Sequence, residues 1–128
     1  MFIRLENLQV YQLAEQLADN IWNVAAKWEP FAKFTVGEQL VRAADSIAAN
    51  IAEGHGRFSS RENIRFCYIA RGSLNETRNW LRRAARRKLL TEEQAEPLCM
   101  MVEQLGRKLN AYIHAIRRYQ FSEQTFTS

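Results

Sequence analysis

Apolar residues recur at three- and four-residue spacing through most of the chain, in four runs separated by short polar breaks. That period is the mark of helices with one buried face. The first run, about 7–28, carries Leu8, Tyr11, Leu13/Ala14, Leu17/Ala18, Ile21/Trp22 and Ala25, and Pro30 is expected to end it because proline lacks an amide hydrogen. Thr35 with Glu38 has the form of a capping box and predicts a second helix over about 36–55, with Leu40, Ala43/Ala44, Ile47, Ile51 and Gly54 inward. Ser59 with Glu62 opens a third over about 60–88, whose inward side reads Phe66, Ile69/Ala70, Ser73, Thr77, Trp80/Leu81 and Ala84. Thr91 with Gln94 opens a fourth over about 92–119, carrying Leu98, Met101/Val102, Leu105, Leu109, Tyr112/Ile113 and Ile116. Pro97 is tolerable there if the helix effectively begins near Ala95. Residues 120–128 read as a polar tail containing Phe121 and Phe126.

The expected fold is all-α, one domain over 1–128. Breaks of a few residues force sequential helices to return, giving an antiparallel up-down-up-down four-helix bundle. Ala43, Ala44, Ala48, Ala49 and Ala52 on the second helix face Ala70, Gly72 and Ser73 on the third. Small side chains allow close axes, and Gly72 inside a helix, costing about 1 kcal/mol against alanine, is expected to serve that contact.

Composition adds compartment and charge. The 128 residues are 47% hydrophobic and 25% charged, which is globular, and no apolar run approaches the roughly 20 residues that cross a bilayer. No membrane association is expected. The N-terminus lacks the pattern of a signal peptide, and Cys67 and Cys99 read as buried reduced thiols, so the expected location is cytoplasmic. The net charge of +4 is unevenly spread: Arg78, Arg82, Arg83, Arg86, Arg87 and Lys88 fall within eleven residues that hold no acidic one. Like charges on one helix face repel unless an anion relieves them, so this face is a candidate for nucleic acid or an acidic protein; a merely solvated face is the bland alternative.

Ser46, Asn50, Glu53 and Arg57 are spaced four, three and four apart and share a polar stripe. With Ser73 and Glu76 they form a second candidate site. Its first reading is a hydrogen-bonded seam against Arg71, Asn75 and Glu76 or against another subunit; ligand binding and catalysis follow in that order. Two histidines and two scattered cysteines make no metal site, nucleophile–base signatures are absent, and neither metal nor cofactor is expected. Arg107 and His114, seven apart on the last helix, share a face.

The stretch Ser46-Ile47-Ala48-Ala49-Asn50-Ile51-Ala52-Glu53-Gly54, then Gly56-Arg57, then Phe66 to Glu76 (FCYIARGSLNE) resembles the signature of the 23S rRNA intervening-sequence family. Alanines stand at 48 and 49 where that signature often has proline. The resemblance implies a four-helix bundle with no enzyme activity. Relatives, including the accessory protein of diversity-generating retroelements, form cyclic pentamers with a basic surface. Carried over, it implies a homo-pentameric scaffold whose partners are RNA or DNA, or a nucleic-acid-processing protein. Trp22, Trp28, Tyr11, Phe121 and Phe126 would then be candidates for burial between subunits. A protein-interaction adaptor is the alternative. The Arg107–His114 spacing also resembles the motif of HEPN ribonucleases, although Lys108 stands where those enzymes commonly carry Asn, Asp or His.

Overall fold

A computed structural model describes residues 3–127, with side chains described through Gln120. Four long helices account for nearly all of it, and there is no strand among the described residues. A single 3₁₀ turn, Leu5–Asn7, leads into α1, Gln9–Ala25. The second helix, α2, spans residues 30–55 as an α turn Pro30–Ala32, a π-helical segment Lys33–Gly37 and a regular stretch Glu38–His55. Then come α3, Ser60–Arg86, and α4, Glu92–Thr127. The most extensive helix pair is α2–α3; α3 also packs on α4, and α1 on both α2 and α4.

The start of α2 departs from the sequence reading. Pro30 begins it rather than merely stopping α1, because a proline in a first turn forfeits only an amide that has no partner there. Glu29 is the cap: its carboxylate accepts from the amides of Phe31 (3.0 Å) and Ala32 (2.8 Å). Thr35 therefore caps nothing. It lies inside the π segment, and its hydroxyl donates to the Phe31 carbonyl at 2.6 Å. Glu38 pairs with Arg42 instead of closing a capping box.

The later caps are those the sequence names. The Ser59 hydroxyl accepts from the Glu62 amide at 3.1 Å. Thr91 and Gln94 exchange bonds, amide to side chain in each direction, at 3.1 and 3.2 Å. That box places the start of α4 at Glu92, so Pro97 lies within the helix and not at its first turn. The helix also continues where a tail was expected, through Thr127; the side chains of Phe121 and Phe126 lie outside the described residues.

At its far end α3 closes with a reciprocal turn, Leu89 N–H to the Ala84 carbonyl (2.9 Å) and Lys88 N–H to the Ala85 carbonyl (3.0 Å). This geometry puts one residue in the left-handed region, usually glycine. Here it is Lys88, with φ 64°.

One core joins all four helices, with Leu17, Ile21, Leu40, Ile47, Ile51, Leu74, Leu81, Leu105 and Leu109 at 2% exposure or less. On α3 the buried stripe is Ile64, Cys67, Ala70, Leu74, Thr77, Leu81 and Ala84. Phe66 is half-buried, Ile69 is 42% exposed, and Ser73 and Trp80 sit at the margin. The expected stripe holds at Ala70, Thr77, Leu81 and Ala84 and is off by one residue at Phe66 and Ser73, beside which Cys67 and Leu74 are buried. Packed in the seam between α2 and α4, α3 buries the smaller Cys67 in place of the neighbouring Phe66 ring, and Thr77 is buried as its spacing predicts. The Thr77 hydroxyl is satisfied by the Ser73 carbonyl at 2.8 Å. Trp22, expected at the inner face of α1, is 58% exposed. Among the described residues no helix is long and apolar enough to cross a membrane.

Candidate nucleic-acid interface

Seven arginines against two glutamates lie along α3, whereas α1 carries Glu15 and Asp19 and no basic residue. Asp45 of α2 is pushed above the usual carboxylate range, first by partial desolvation and then by Asp19 across the α1–α2 seam. Charge is therefore segregated around the molecule. Arg82, Arg83, Arg86, Arg87 and Lys88 are all exposed, and none of them forms an ion pair among the described residues.

Arg78 differs from the other five. Its Nε donates to Glu103 of α4 at 3.1 Å and its guanidinium to Asn75 at 2.6 Å. A tertiary neighbour thus supplies the acid that the local sequence lacks. Arg71 similarly donates to Asn110 (3.2 Å) and lies over the Tyr68 ring. Lys88 also serves the backbone, since it holds the left-handed position that ends α3.

The polar stripe divides in two. Ser46 and Ser73 share a hydroxyl–hydroxyl bond of 2.9 Å across the α2–α3 seam, and the Asn50 amide donates to the Ser46 carbonyl (2.8 Å) and hydroxyl (3.0 Å). This half-buried cluster pins the register of the two helices. Glu53 and Arg57 instead form a pair at 2.6 Å, and Arg57 stacks with Arg65 against Phe66. Glu76 is exposed. Ser73 is the helix-three partner of the stripe; Arg71 and Asn75, the expected ones, bond elsewhere.

Arg107 and His114 are both exposed on α4. Neither lines any of the three cavities described below. No cluster of metal-binding side chains occurs among the described residues. Cys67 is buried, which pushes its thiol up to about 11, but Cys99 is exposed, contrary to expectation, because it falls beside rather than on the Leu98–Val102 stripe.

The pattern of periodicity also passed over an aromatic end. Where α1 gives way to α2, a cavity of about 490 Å³ lies between Trp22, Ala25, Phe34, Gly37 and Val41. Beside it, a larger one of about 790 Å³ is lined by Glu29, Phe31, Phe34, Gln39, Trp80 and Arg87, among others. Phe31 is 77% and Phe34 67% exposed. The α turn leaves Phe31 outside and the π segment leaves Phe34 outside, while Ala32, Val36 and Gly37 are buried. The adjacent Glu29-Pro30 pair was the available signal, since an acidic cap before proline starts a helix early. A third cavity, about 450 Å³, lies elsewhere between Phe58, Asn63, Tyr112 and Tyr119. Of the proposed intersubunit aromatics, Trp22 is exposed; Trp28 and Tyr11 are half-buried against the core.

The family model described as 23S rRNA-intervening sequence protein matches residues 6–111. A crystal structure of a protein of unknown function from the S23 ribosomal protein family of Bacteroides thetaiotaomicron is similar, with a TM-score of 0.76 and 28% identity. That match covers 81% of this chain and 97% of the other. A search of curated proteins finds no match.

Proposed function

The chain belongs to the 23S rRNA-intervening sequence protein family, and from that premise we propose that it is a non-enzymatic, oligomeric scaffold that binds RNA through the arginine face of α3. The carrying observation is the exposed set Arg82, Arg83, Arg86 and Arg87 on the last turns of a rigid helix, with no acid paired to them among the described residues. Guanidinium groups bind phosphates in a forked geometry, and the negative end of the α3 dipole offsets part of their mutual repulsion. The two free cysteines accord with a reducing, cytoplasmic setting.

In this reading the helices form an antiparallel up-down-up-down bundle. Supporting it, partners run in opposite order along neighbouring helices: Arg71 with Asn110 and Arg78 with Glu103, Gln9 with Lys108 and Asn20 with Met101. Assembly into a ring, with five copies as in related bundles, is supported by surface that the lone subunit leaves unused. Gly72 meets nothing within 4 Å of where a Cβ would stand, and Ile69 and Trp22 are exposed. The contact expected of Gly72 inside the subunit is absent, and another copy is the natural recipient.

A titration with labelled structured RNA tests the reading. Replacing Arg82, Arg83, Arg86 and Arg87 by Gln should weaken binding across sequences and flatten the salt slope, which is about 0.7–0.9 per phosphate neutralised. Unchanged affinity in that variant overturns the proposal. If the wild type retains no RNA at physiological salt, an adaptor for an acidic protein replaces it. RNA cleavage lost on His114→Ala would instead favour the ribonuclease reading of Arg107 and His114.

A further inference from the structure

Resting on that reading of the α3 arginines, we propose that the Phe31–Phe34–Trp80 cavity receives an unpaired base of the bound strand. The protein would then prefer single-stranded segments, such as loops or bulges of a folded RNA, to duplex. Arg87 belongs both to the arginine face and to the cavity wall, which makes the two features one continuous surface. Arg86 precedes it, and Arg83 lies one turn back, accepting the Arg87 amide at its carbonyl (3.0 Å). A strand whose phosphates follow these guanidiniums has a base within reach of the aromatic walls.

The cavity suits a base in kind as well as in place. At about 790 Å³ it has the size of a small-molecule site. Its two most exposed rings stand on helical backbone, not on a mobile loop, so their faces are presented without an ordering cost. The α turn presents Phe31 and the π-helical turn that follows it presents Phe34, and π-helical turns concentrate at functional sites. Polar groups at the wall can meet a base edge: the Gln39 amide both donates and accepts. Two carboxylates at the rim would oppose a phosphate, but each is engaged. Both Glu29 oxygens accept backbone amides, and Glu38 is paired with Arg42 at 3.2 Å. An apolar peptide would bury the rings and make no use of Arg87. A cationic ligand would meet Arg87 as a like charge. An unpaired base with its phosphate uses both. In a duplex the bases are already stacked on one another, so only the phosphate contacts remain.

The test compares a labelled single-stranded ten-nucleotide RNA with a duplex of the same length, by fluorescence anisotropy on the full chain. Phe31→Ala/Phe34→Ala removes two rings that lie outside the core. It should weaken single-strand binding on the order of tenfold or more, the usual effect of removing aromatic stacking, and leave duplex affinity and salt slope unchanged. Retained duplex binding is also the control for folding. Phe31→Tyr/Phe34→Tyr should restore the single-strand affinity. Arg86→Gln/Arg87→Gln should weaken both substrates together.

Equal losses for the two substrates, or no loss, in the double alanine variant would overturn the cavity's role and leave the phosphate face standing. An altered sedimentation profile with unaltered RNA binding would assign the rings to a contact between copies and equally overturn it. A wild type that binds neither substrate removes both proposals.

Discussion

Replacing Gly54 by alanine tests how closely α2 and α3 approach. A Cβ built there would stand 2.7 Å from the Asn63 side-chain oxygen, 2.9 Å from the Phe66 Cβ and 3.0 Å from the Asn63 carbonyl oxygen. Carbon contacts are comfortable at about 3.5–4.0 Å, so every one of these is too short. The Asn63 side chain could swing away, but its amide would then leave the Tyr112 hydroxyl (3.3 Å) and its oxygen the Cys67 thiol (3.8 Å). The other two atoms are fixed to the backbone, so the first turns of α3 must move. Overpacking that forces backbone to move falls in the upper part of the usual range, about 2–3 kcal/mol, against which alanine returns about 1 kcal/mol of helix propensity. The expected net loss is about 1–2 kcal/mol, or roughly 3–8 °C in Tm for a chain of this size. Urea unfolding followed by circular dichroism at one fixed protein concentration measures it. Gly72→Ala is the internal control, read on protein diluted until it is monomeric: with nothing within 4 Å inside the subunit it should stabilise that subunit by about 1 kcal/mol. A Gly54→Ala protein as stable as the wild type would refute the argument.

Lys88→Gly should stabilise the chain by about 0.5–1 kcal/mol in the same unfolding assay, since glycine relieves the left-handed backbone at φ 64°. Ser46→Ala and Ser73→Ala should each cost about 1–2 kcal/mol, because each leaves a half-buried partner short of a bond; the double variant should cost less than their sum in a double-mutant cycle. In the native protein Cys99 should react with a thiol reagent at neutral pH while Cys67 reacts only on unfolding. The Cys67 pKa is raised from 9.0 to about 11 by burial, so the unfolded thiol ionises first as pH rises. Its contribution is complete below pH 9 and is lost between 9 and 11; a Cys67→Ala protein should show a shallower fall in Tm across that window.

Several features of this protein follow from the sequence alone. Helix type, the caps Ser59–Glu62 and Thr91–Gln94, and the stripes of α2 and α4 were legible because each depends on residues within one or two turns. So was the arginine run of α3, as a local charge density. The family signature over the two central helices was legible for the same reason.

Where two local rules competed, the structure chose between them. Thr35–Glu38 and Glu29-Pro30 both announce a helix start, and the earlier one wins because Ala32, Val36 and Gly37 then become buried. The turn of α3 about its axis was likewise a tertiary matter. Facing both α2 and α4, it buries Cys67 rather than Phe66 and leaves Ile69 outside, which no hydrophobicity pattern on α3 alone could reveal. Arg78 looks unopposed along the chain and finds Glu103 only across the α3–α4 seam. The aromatic cavity is the strongest case: Phe31, Trp80 and Arg87 are up to 56 positions apart and share one wall only because α2 and α3 pack together. Local order is written in neighbouring residues, whereas a site assembled across helices exists only once they pack.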